Sequence, residues 1–280
     1  MTDSAPAKPL GAEYWNGEGG QRWLAHLDLT EQLLEPLGQA LLDAAAVQSG
    51  EAVLDVGCGG AATSRALATQ VGPTGRVLGV DISAPIVAVA RARSTGISHL
   101  ELRVADAEVD ALPPGFDLLV SRFGVMFFND PVAAFGNLRT SLAPGARLAF
   151  LCWQAVDRND WLAVPAAAAF RVLSPPAPPA DPLLPGPFAF ADPSRVHGIL
   201  ADSGFRSVQV TPALGAMQWA DLDTAVAYLL EMGMVGRALQ DQPPAVHHEV
   251  SAAVRAELSA RATSGGIALD YSAWLVTAKN

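Results

Sequence analysis

Residues 53–60 read Val-Leu-Asp-Val-Gly-Cys-Gly-Gly, an apolar run that meets an acid and then breaks into glycines. Glycine lets a backbone turn sharply and lets a ligand approach with no Cβ in the way. Asp55 decides which ligand that turn can welcome. A carboxylate two residues before Gly57 repels a pyrophosphate, but it accepts hydrogen bonds from a cationic or amine-bearing group. A second acid, Asp81, ends the short apolar run Arg76 to Val80, a position from which a carboxylate takes both hydroxyls of a ribose. A third, Asp106, lies in Ala105-Asp106-Ala107-Glu108, directly after Leu100 to Val104. Phe116 to Val120 then ends in Ser121-Arg122-Phe123.

Those polar residues need a frame that brings them to one edge. Strand-like and helix-like segments alternate along the chain: 52–56, 61–70, 77–80, 85–93, 100–104, 116–120, 131–142 and 147–152, with Pro144-Gly145 stopping the last helix. Such alternation predicts an α/β, Rossmann-like, mostly parallel sheet with right-handed crossovers and helices on both faces. Ligands of such sheets sit at the carboxyl ends of the strands. Ahead of this core, 14–20 reads as a polar, glycine-rich loop. Leu33, Leu34, Leu37, Leu41 and Leu42 recur at helical spacing over 30–46, where Pro36 either kinks the helix or starts a new one. After Trp153 come an alanine-rich helix over 160–173, a proline-rich loop over 174–187, a helix from Pro193 to Ser203 and a strand over 205–211. A final strand covers 268–279. Roughly fifty residues separate these last two strands, and 221–240 and 243–262 within them read as helical. The expected layout is an amino-terminal tail and helical lid (1–46, of which 1–10 is a disordered tail), a binding core (47–215), an inserted helical cap (216–266) and a final core strand (267–280).

This arrangement resembles the class I S-adenosylmethionine-dependent methyltransferases, in particular the small-molecule branch of the ubiquinone/menaquinone-biosynthesis type. The likeness is specific over residues 51–151 and looser over 14–42 and 188–279. Leu54 to Gly59 resembles the family's first motif, so Asp55, Gly57, Cys58 and Gly59 are implied to hold the methionine portion of the cofactor S-adenosylmethionine. Asp81 and Ile82 look like the ribose-binding loop, and Asp106 and Ala107 like the segment that reads the adenine amino group. Ser121 and Arg122 stand where a fourth motif meets cofactor and substrate. The family often has a third glycine where this chain has Ala61. The resemblance implies a seven-stranded sheet whose sixth and seventh strands are usually joined by a short turn; here a helical cap takes its place. The glycine run with Ala62 also fits a dinucleotide fingerprint, which keeps a nicotinamide-dependent oxidoreductase as an alternative. A non-catalytic S-adenosylmethionine-binding protein is a third reading, because binding is not chemistry.

Composition narrows the partners. The 280 residues carry 28 acids against 18 Lys and Arg, a net charge of −10, with no basic cluster. That balance argues against a nucleic-acid substrate and for a small-molecule acceptor. The two cysteines, Cys58 and Cys152, read as packed free thiols rather than a disulfide framework. The start is polar and proline-bearing, with no signal-peptide pattern, and no apolar run approaches the length of a membrane span. The expectation is a cytoplasmic protein with no membrane partner. Rich Ala, Gly and Pro usage points to a GC-rich bacterial genome.

A methyl acceptor must be aligned and kept dry. Phe123, Met126, Phe127 and Phe128 follow the fourth strand and Trp153 follows the fifth, on the side that faces the methyl end in this architecture. They line an apolar or aromatic acceptor site or simply pack helix on sheet; both readings stand. Met217, Trp219, Tyr228, Met232 and Met234 either cover that site or form a homodimer face. Tyr14 and Trp15 can pack on the cofactor, and Trp23 fits there or in the core. Of the five histidines, His26 on the amino-terminal segment is the one candidate general base; whether the accepting atom is O, C or N stays open. No metal-ligand spacing, Ser/His/Asp arrangement or Walker loop is present.

Overall fold

The computed structural model describes residues 11–174 and 183–280; the expected tail and most of the proline-rich loop lie outside them. Seven strands form one sheet: β1 (Ala52–Val56), β2 (Arg76–Asp81), β3 (Leu100–Val104), β4 (Phe116–Arg122), β5 (Leu142–Trp153), β6 (Arg206–Trp219) and β7 (Ile267–Lys279). Their order is β3-β2-β1-β4-β5-β7-β6. β1 to β5 run parallel, and β7 lies antiparallel between β5 and β6. The chain steps outward from β1 to β3, then crosses back to β4 on the other side of β1. That reversal opens a crevice at the carboxyl ends of β1 and β4. Both strands lie between helices, so they read as continuous apolar runs up to the edge where polar residues begin.

The crossover helices start where the sequence supplies caps and prolines. α6 (Ala84–Arg93) is capped by Ser83, α7 (Pro131–Thr140) by Asp130 and α9 (Pro193–Asp202) by Asp192, each with Pro in the first turn. Pro36 likewise opens a helix: the expected 30–46 segment divides into α3 (Leu27–Leu33) and α4 (Glu35–Ala45). α5 (Ala62–Val71) follows the glycine turn.

Three segments depart from the sequence expectation. The stretch 14–20 is helical rather than a loop, as α1 (Ala12–Asn16) and α2 (Glu18–Ala25). Its glycines serve close packing: a Cβ at Gly19 would lie 2.2 Å from the Tyr14 ring, and one at Gly20 would lie 2.0 Å from the Trp15 carbonyl oxygen. Asn16 and Ser83 then tie it to the core. Asn16 Nδ2 donates to Ile82 O (3.0 Å), and Ser83 Oγ donates to Trp15 O (2.7 Å). Second, Pro144-Gly145 does not separate helix from strand but lies inside β5. Phe116 pairs with Leu142 and Leu118 with Arg147, so the extra residues form a bulge with Gly145 at φ +77°. Third, β6 does not stop at Thr211. It runs to Trp219 because Pro212 sits on an edge strand, where the missing N–H interrupts little.

β5 leaves β7 at Ala273, whereas β6 and β7 stay paired out to Trp219 and Ile267. The two strands therefore project as a ribbon past the carboxyl edge of the sheet. Met217 and Trp219, expected in the cap, belong to this ribbon. The cap helices α10 (Leu222–Glu231), α11 (Gly233–Leu239) and α12 (Pro244–Ser259) hang on its end and bury Leu229, Val250, Val254 and Leu258. α8 (Asp160–Ala169) packs against α12 and carries the cap back onto the core.

Candidate functional site

A cavity of about 370 Å³ opens at the carboxyl ends of the strands, under the lid helices α1 to α3 and the cap helices α10 and α11. One end is built on the turn after β1. Gly57 has φ +68°, and a Cβ there would lie 2.7 Å from Gly124 Cα, so the turns after β1 and β4 meet with no room for a side chain. Ser121 bolts them together. Its Oγ donates to Val56 O (2.7 Å) and accepts from Gly124 N (3.2 Å). Ala61, where the resemblance leads one to expect glycine, adopts the same left-handed region at φ +66° and is fully buried.

Asp55 lies buried beneath this turn. Its Oδ2 accepts from Ser64 Oγ at 2.5 Å, while its Oδ1 has no partner. Burial pushes its carboxyl up to about 6; the Ser64 hydrogen bond and the Arg122 charge pull the other way, and Asp81 adds to the rise. Arg122 lines the cavity, and its guanidinium makes no hydrogen bond among the described residues. Burial disfavours its charge, and Glu31 and Asp55 offset this. The guanidinium fork thus stands at the cavity wall and the Asp55 carboxylate oxygen beneath the glycine turn, both without a hydrogen-bond partner among the described residues. A zwitterionic amino-acid end fits such a pair.

Asp81 also lines the cavity. Its Oδ2 accepts from Gly59 N (3.0 Å) and its Oδ1 from Ser83 N (2.9 Å), so it holds the turn in shape and keeps lone pairs for a ligand. Burial raises its carboxyl, and the backbone donors counter that. Asp106 Oδ1 accepts from Glu108 N (3.0 Å), and Ile82, Asp106 and Ala107 form the next part of the wall. Tyr14 and Trp15 close this end from the lid.

The other end is apolar. Phe123 stacks on Trp153 with centroids 4.0 Å apart and planes 10° off parallel, and Trp161 lies 5.3 Å beyond. Phe123 sits at φ +65°, a left-handed conformation that costs a non-glycine residue about 1–2 kcal/mol and is met here at the mouth of a site. Phe127, Met126, Phe128, Met217, Met232 and Met234 line the same cavity, and the Phe127 ring packs edge-on against Trp15 at 5.3 Å. Trp23 lines the cavity too, whereas Trp219 is buried without reaching it.

Four residues singled out in the sequence stand behind the wall or away from it. Asp55 and Ser121 lie under the turn. Cys58 packs with Ala61, Val87 and Leu102, and burial pushes its thiol well above the ordinary value. His26 is outside the cavity lining: its Nε2 meets Glu231 Oε2 at 2.7 Å and its ring packs edge-on against Tyr228. His26 therefore ties lid to cap and stands outside the cavity lining. Thr30, Trp161 and Arg237 line the cavity and were not foreseen; Thr30 Oγ1 pairs at 3.2 Å with Oη of Tyr228, one of the residues expected to cover the site. Only Arg237 had a readable signal, since it falls one helical turn after Gly233 and Met234. Among the described residues no cluster of His, Cys, Asp and Glu could hold a metal ion, and no helix is long and apolar enough to cross a membrane.

Known proteins bear on this geometry. Residues 53–145 match a family described as a methyltransferase domain. Over 122 residues the chain is 36% identical to aklanonic acid methyltransferase DauC of Streptomyces sp., covering 42% of this chain and 56% of that one. It is 32% identical over 120 residues to nocamycin O-methyltransferase of Saccharothrix syringae, covering 42% and 43%. The chain thus spans about half the length of these two relatives. A 2-phytyl-1,4-naphthoquinone methyltransferase of Thermosynechococcus vestitus is 29% identical over 191 residues, 64% of this chain and 83% of that one. The YcgJ protein of Bacillus subtilis shares the fold, with a TM-score of 0.57 at 17% identity over 88% of this chain and 98% of that one. With this sheet order and this turn, residues 53–145 carry a methyltransferase-domain match, and the chain is similar over part of its length to these methyltransferases.

Proposed function

We propose that the protein transfers a methyl group from S-adenosylmethionine to a small apolar or aromatic acceptor by in-line displacement. The observation that carries this is the unspent pair under the glycine turn, Asp55 Oδ1 and the Arg122 guanidinium, at one end of a cavity whose other end is aromatic. Bound S-adenosylmethionine supplies a methyl group already activated by a sulfonium. In this reading Arg122 takes the cofactor's carboxylate and Asp55 balances its ammonium. Asp81 accepts from the ribose hydroxyls, while Asp106, Ala107 and Ile82 receive the adenine. Gly57, Cys58 and Gly59 give the backbone its close approach, Ser121 fixes their distance to β4, and Tyr14 and Trp15 shut out water. Phe123, Phe127, Trp153 and Met232 position the acceptor, so rate comes from alignment and dryness rather than from a strong base. An open cavity continuing past the cofactor end favours catalysis over a purely binding protein.

Related names fit this chemistry: one relative is named for an acid and another for a naphthoquinone. The cap's apolar faces are spent inside the subunit, which supports a cover over the acceptor rather than a dimer face. The acid excess supports a small-molecule rather than a nucleic-acid substrate, and bacterial relatives support a bacterial, cytoplasmic enzyme. Calorimetry tests the core of the proposal. S-adenosylhomocysteine should bind and NADH should not, and Asp81→Ala should lose most of that affinity because two hydroxyls lose a charged acceptor. Unchanged affinity in Asp81→Ala would sink the map.

A further inference from the structure

The cavity's charges are unevenly spent. Asp81, Asp106 and Glu108 lie along the cofactor end, and both Glu108 oxygens are already used: Oε2 by Asn129 and Oε1 by the Asp130 amide. Two cations line the wall. Arg122 faces Glu31 and Asp55. Arg237, on α11, meets no carboxylate and makes no hydrogen bond among the described residues. Other arginines behave differently: Arg22 in the lid pairs with Glu18, Arg255 in the cap with Asp223, and Arg171 after α8 with Glu257. In a chain with ten more acids than bases, a cation left unpaired on a cavity wall is the exception.

Two further features line the same cavity. The stacked Phe123–Trp153 pair offers a flat face, and planar rings stack on such a face in offset geometry. The Thr30–Tyr228 hydroxyl pair lines the same cavity. One hydroxyl donates to the other, which leaves one O–H of the pair unspent. Burial pushes the Tyr228 phenol up to about 12, so it serves as a donor and not as a base.

We propose that the acceptor is a planar aromatic carboxylic acid, its rings on the Phe123–Trp153 face and its carboxylate on the Arg237 guanidinium. This rests on the methyltransferase reading above. A guanidinium matches a carboxylate through two parallel N–H donors, which a neutral amide cannot reproduce. The oxygen-bearing substituents of such an acceptor find their donor in the Thr30–Tyr228 pair.

The test uses two ring-matched probes, 2-naphthoate and 2-naphthamide, titrated calorimetrically into the full chain saturated with S-adenosylhomocysteine. Titration of S-adenosylhomocysteine itself comes first and tests the cofactor reading alone; its failure would overturn both proposals. With the cofactor product bound, 2-naphthoate should bind the wild type more tightly than 2-naphthamide. Arg237→Gln should weaken 2-naphthoate by roughly tenfold, the lower range for a hydrogen bond to a charged group, and leave 2-naphthamide unchanged. Arg237→Lys should recover part of the loss, since it restores charge without the fork. Arg237 is exposed on a helix surface, so neither variant should disturb folding, and retained affinity for S-adenosylhomocysteine checks this. Equal binding of the two probes, no binding of either, or an Arg237→Gln variant that holds 2-naphthoate as well as the wild type would overturn the acid acceptor while leaving the methyltransferase reading intact.

Discussion

Replacing Asp55 with asparagine should make the ligand-free protein more stable and its grip on S-adenosylhomocysteine weaker. Asp55 is 1% exposed, and burial raises its carboxyl from an ordinary 3.8 to about 6. A carboxyl whose folded pKa lies above its unfolded value costs no stability below the unfolded value. It costs progressively more as pH rises through the folded value. At about 1.4 kcal/mol per pH unit, the rise from 3.8 to about 6 costs up to about 3 kcal/mol at pH 7.5. Asparagine keeps an acceptor for Ser64 and carries no charge, so urea unfolding at pH 7.5 should show a gain of roughly 2 kcal/mol that vanishes below pH 4. A bound ammonium reverses the preference, because it favours the ionised carboxylate. With a carboxyl near 6, about nine-tenths of the free protein holds the proton at pH 5, and binding must expel it. Affinity should therefore be about tenfold weaker at pH 5 than at pH 7.5, with proton release visible as a dependence of binding heat on buffer ionisation enthalpy. Burial raises Asp81 and Glu31 as well, so the pH dependence left in Asp55→Asn belongs to them. A variant no more stable than wild type at pH 7.5, with wild-type affinity flat across this range, would refute the reasoning.

Other outcomes follow from named contacts. Gly57→Ala places a methyl 2.7 Å from Gly124 Cα at a positive φ, so it should cost more than about 2 kcal/mol in urea unfolding and abolish cofactor affinity. Trp153→Ala should cost about 3–5 kcal/mol, the range for a buried aromatic, while loosening the slot but not the cofactor end; unfolding and S-adenosylhomocysteine titration read the two effects separately. His26→Ala should leave the single-turnover rate within about threefold and speed release of S-adenosylhomocysteine, followed by tryptophan fluorescence in stopped flow. A drop of roughly 10²–10⁴ in the chemical rate would return His26 to the role of a general base.

The polar end of the cavity was legible because its signals are local. Parallel strands buried on both faces read as apolar runs, and the residue where each run turns polar marks the binding edge, as at Asp55, Asp81 and Arg122. The lid was not legible in the same way. Residues 14–20 carry no apolar period, and their helices form because Asn16, Ser83 and two crowded glycines dock them on α6. The continuation of β6 was hidden by Pro212 and Gly215, which read as breaks unless one knows the strand lies on an edge. His26 was visible as a titratable group, yet its partner Glu231 is 205 residues away, and only the fold decides which histidine is spent on a carboxylate.

The aromatic end of the cavity gives the physical reason for this difference. Its wall draws on Thr30 from α3, Phe123 and Trp153 after β4 and β5, Trp161 from α8, and Tyr228 and Arg237 from the cap. No spacing rule links these positions, because the β6–β7 ribbon delivers the cap from a part of the chain far from the glycine turn. The same construction separates the two tasks. Substitutions on α10 and α11 can reshape the cavity without touching the glycine turn after β1. The residues tying lid to cap, Arg22 with Gln240, His26 with Glu231 and Thr30 with Tyr228, are side-chain contacts alone. The two exposed pairs, Arg22 with Gln240 and His26 with Glu231, are worth about 1 kcal/mol or less each, and only the Thr30–Tyr228 pair is buried, so the seam above the cavity is weaker than the sheet below it. A ligand must enter and its product leave across some boundary, and this seam is the one in the site that can part without breaking a strand.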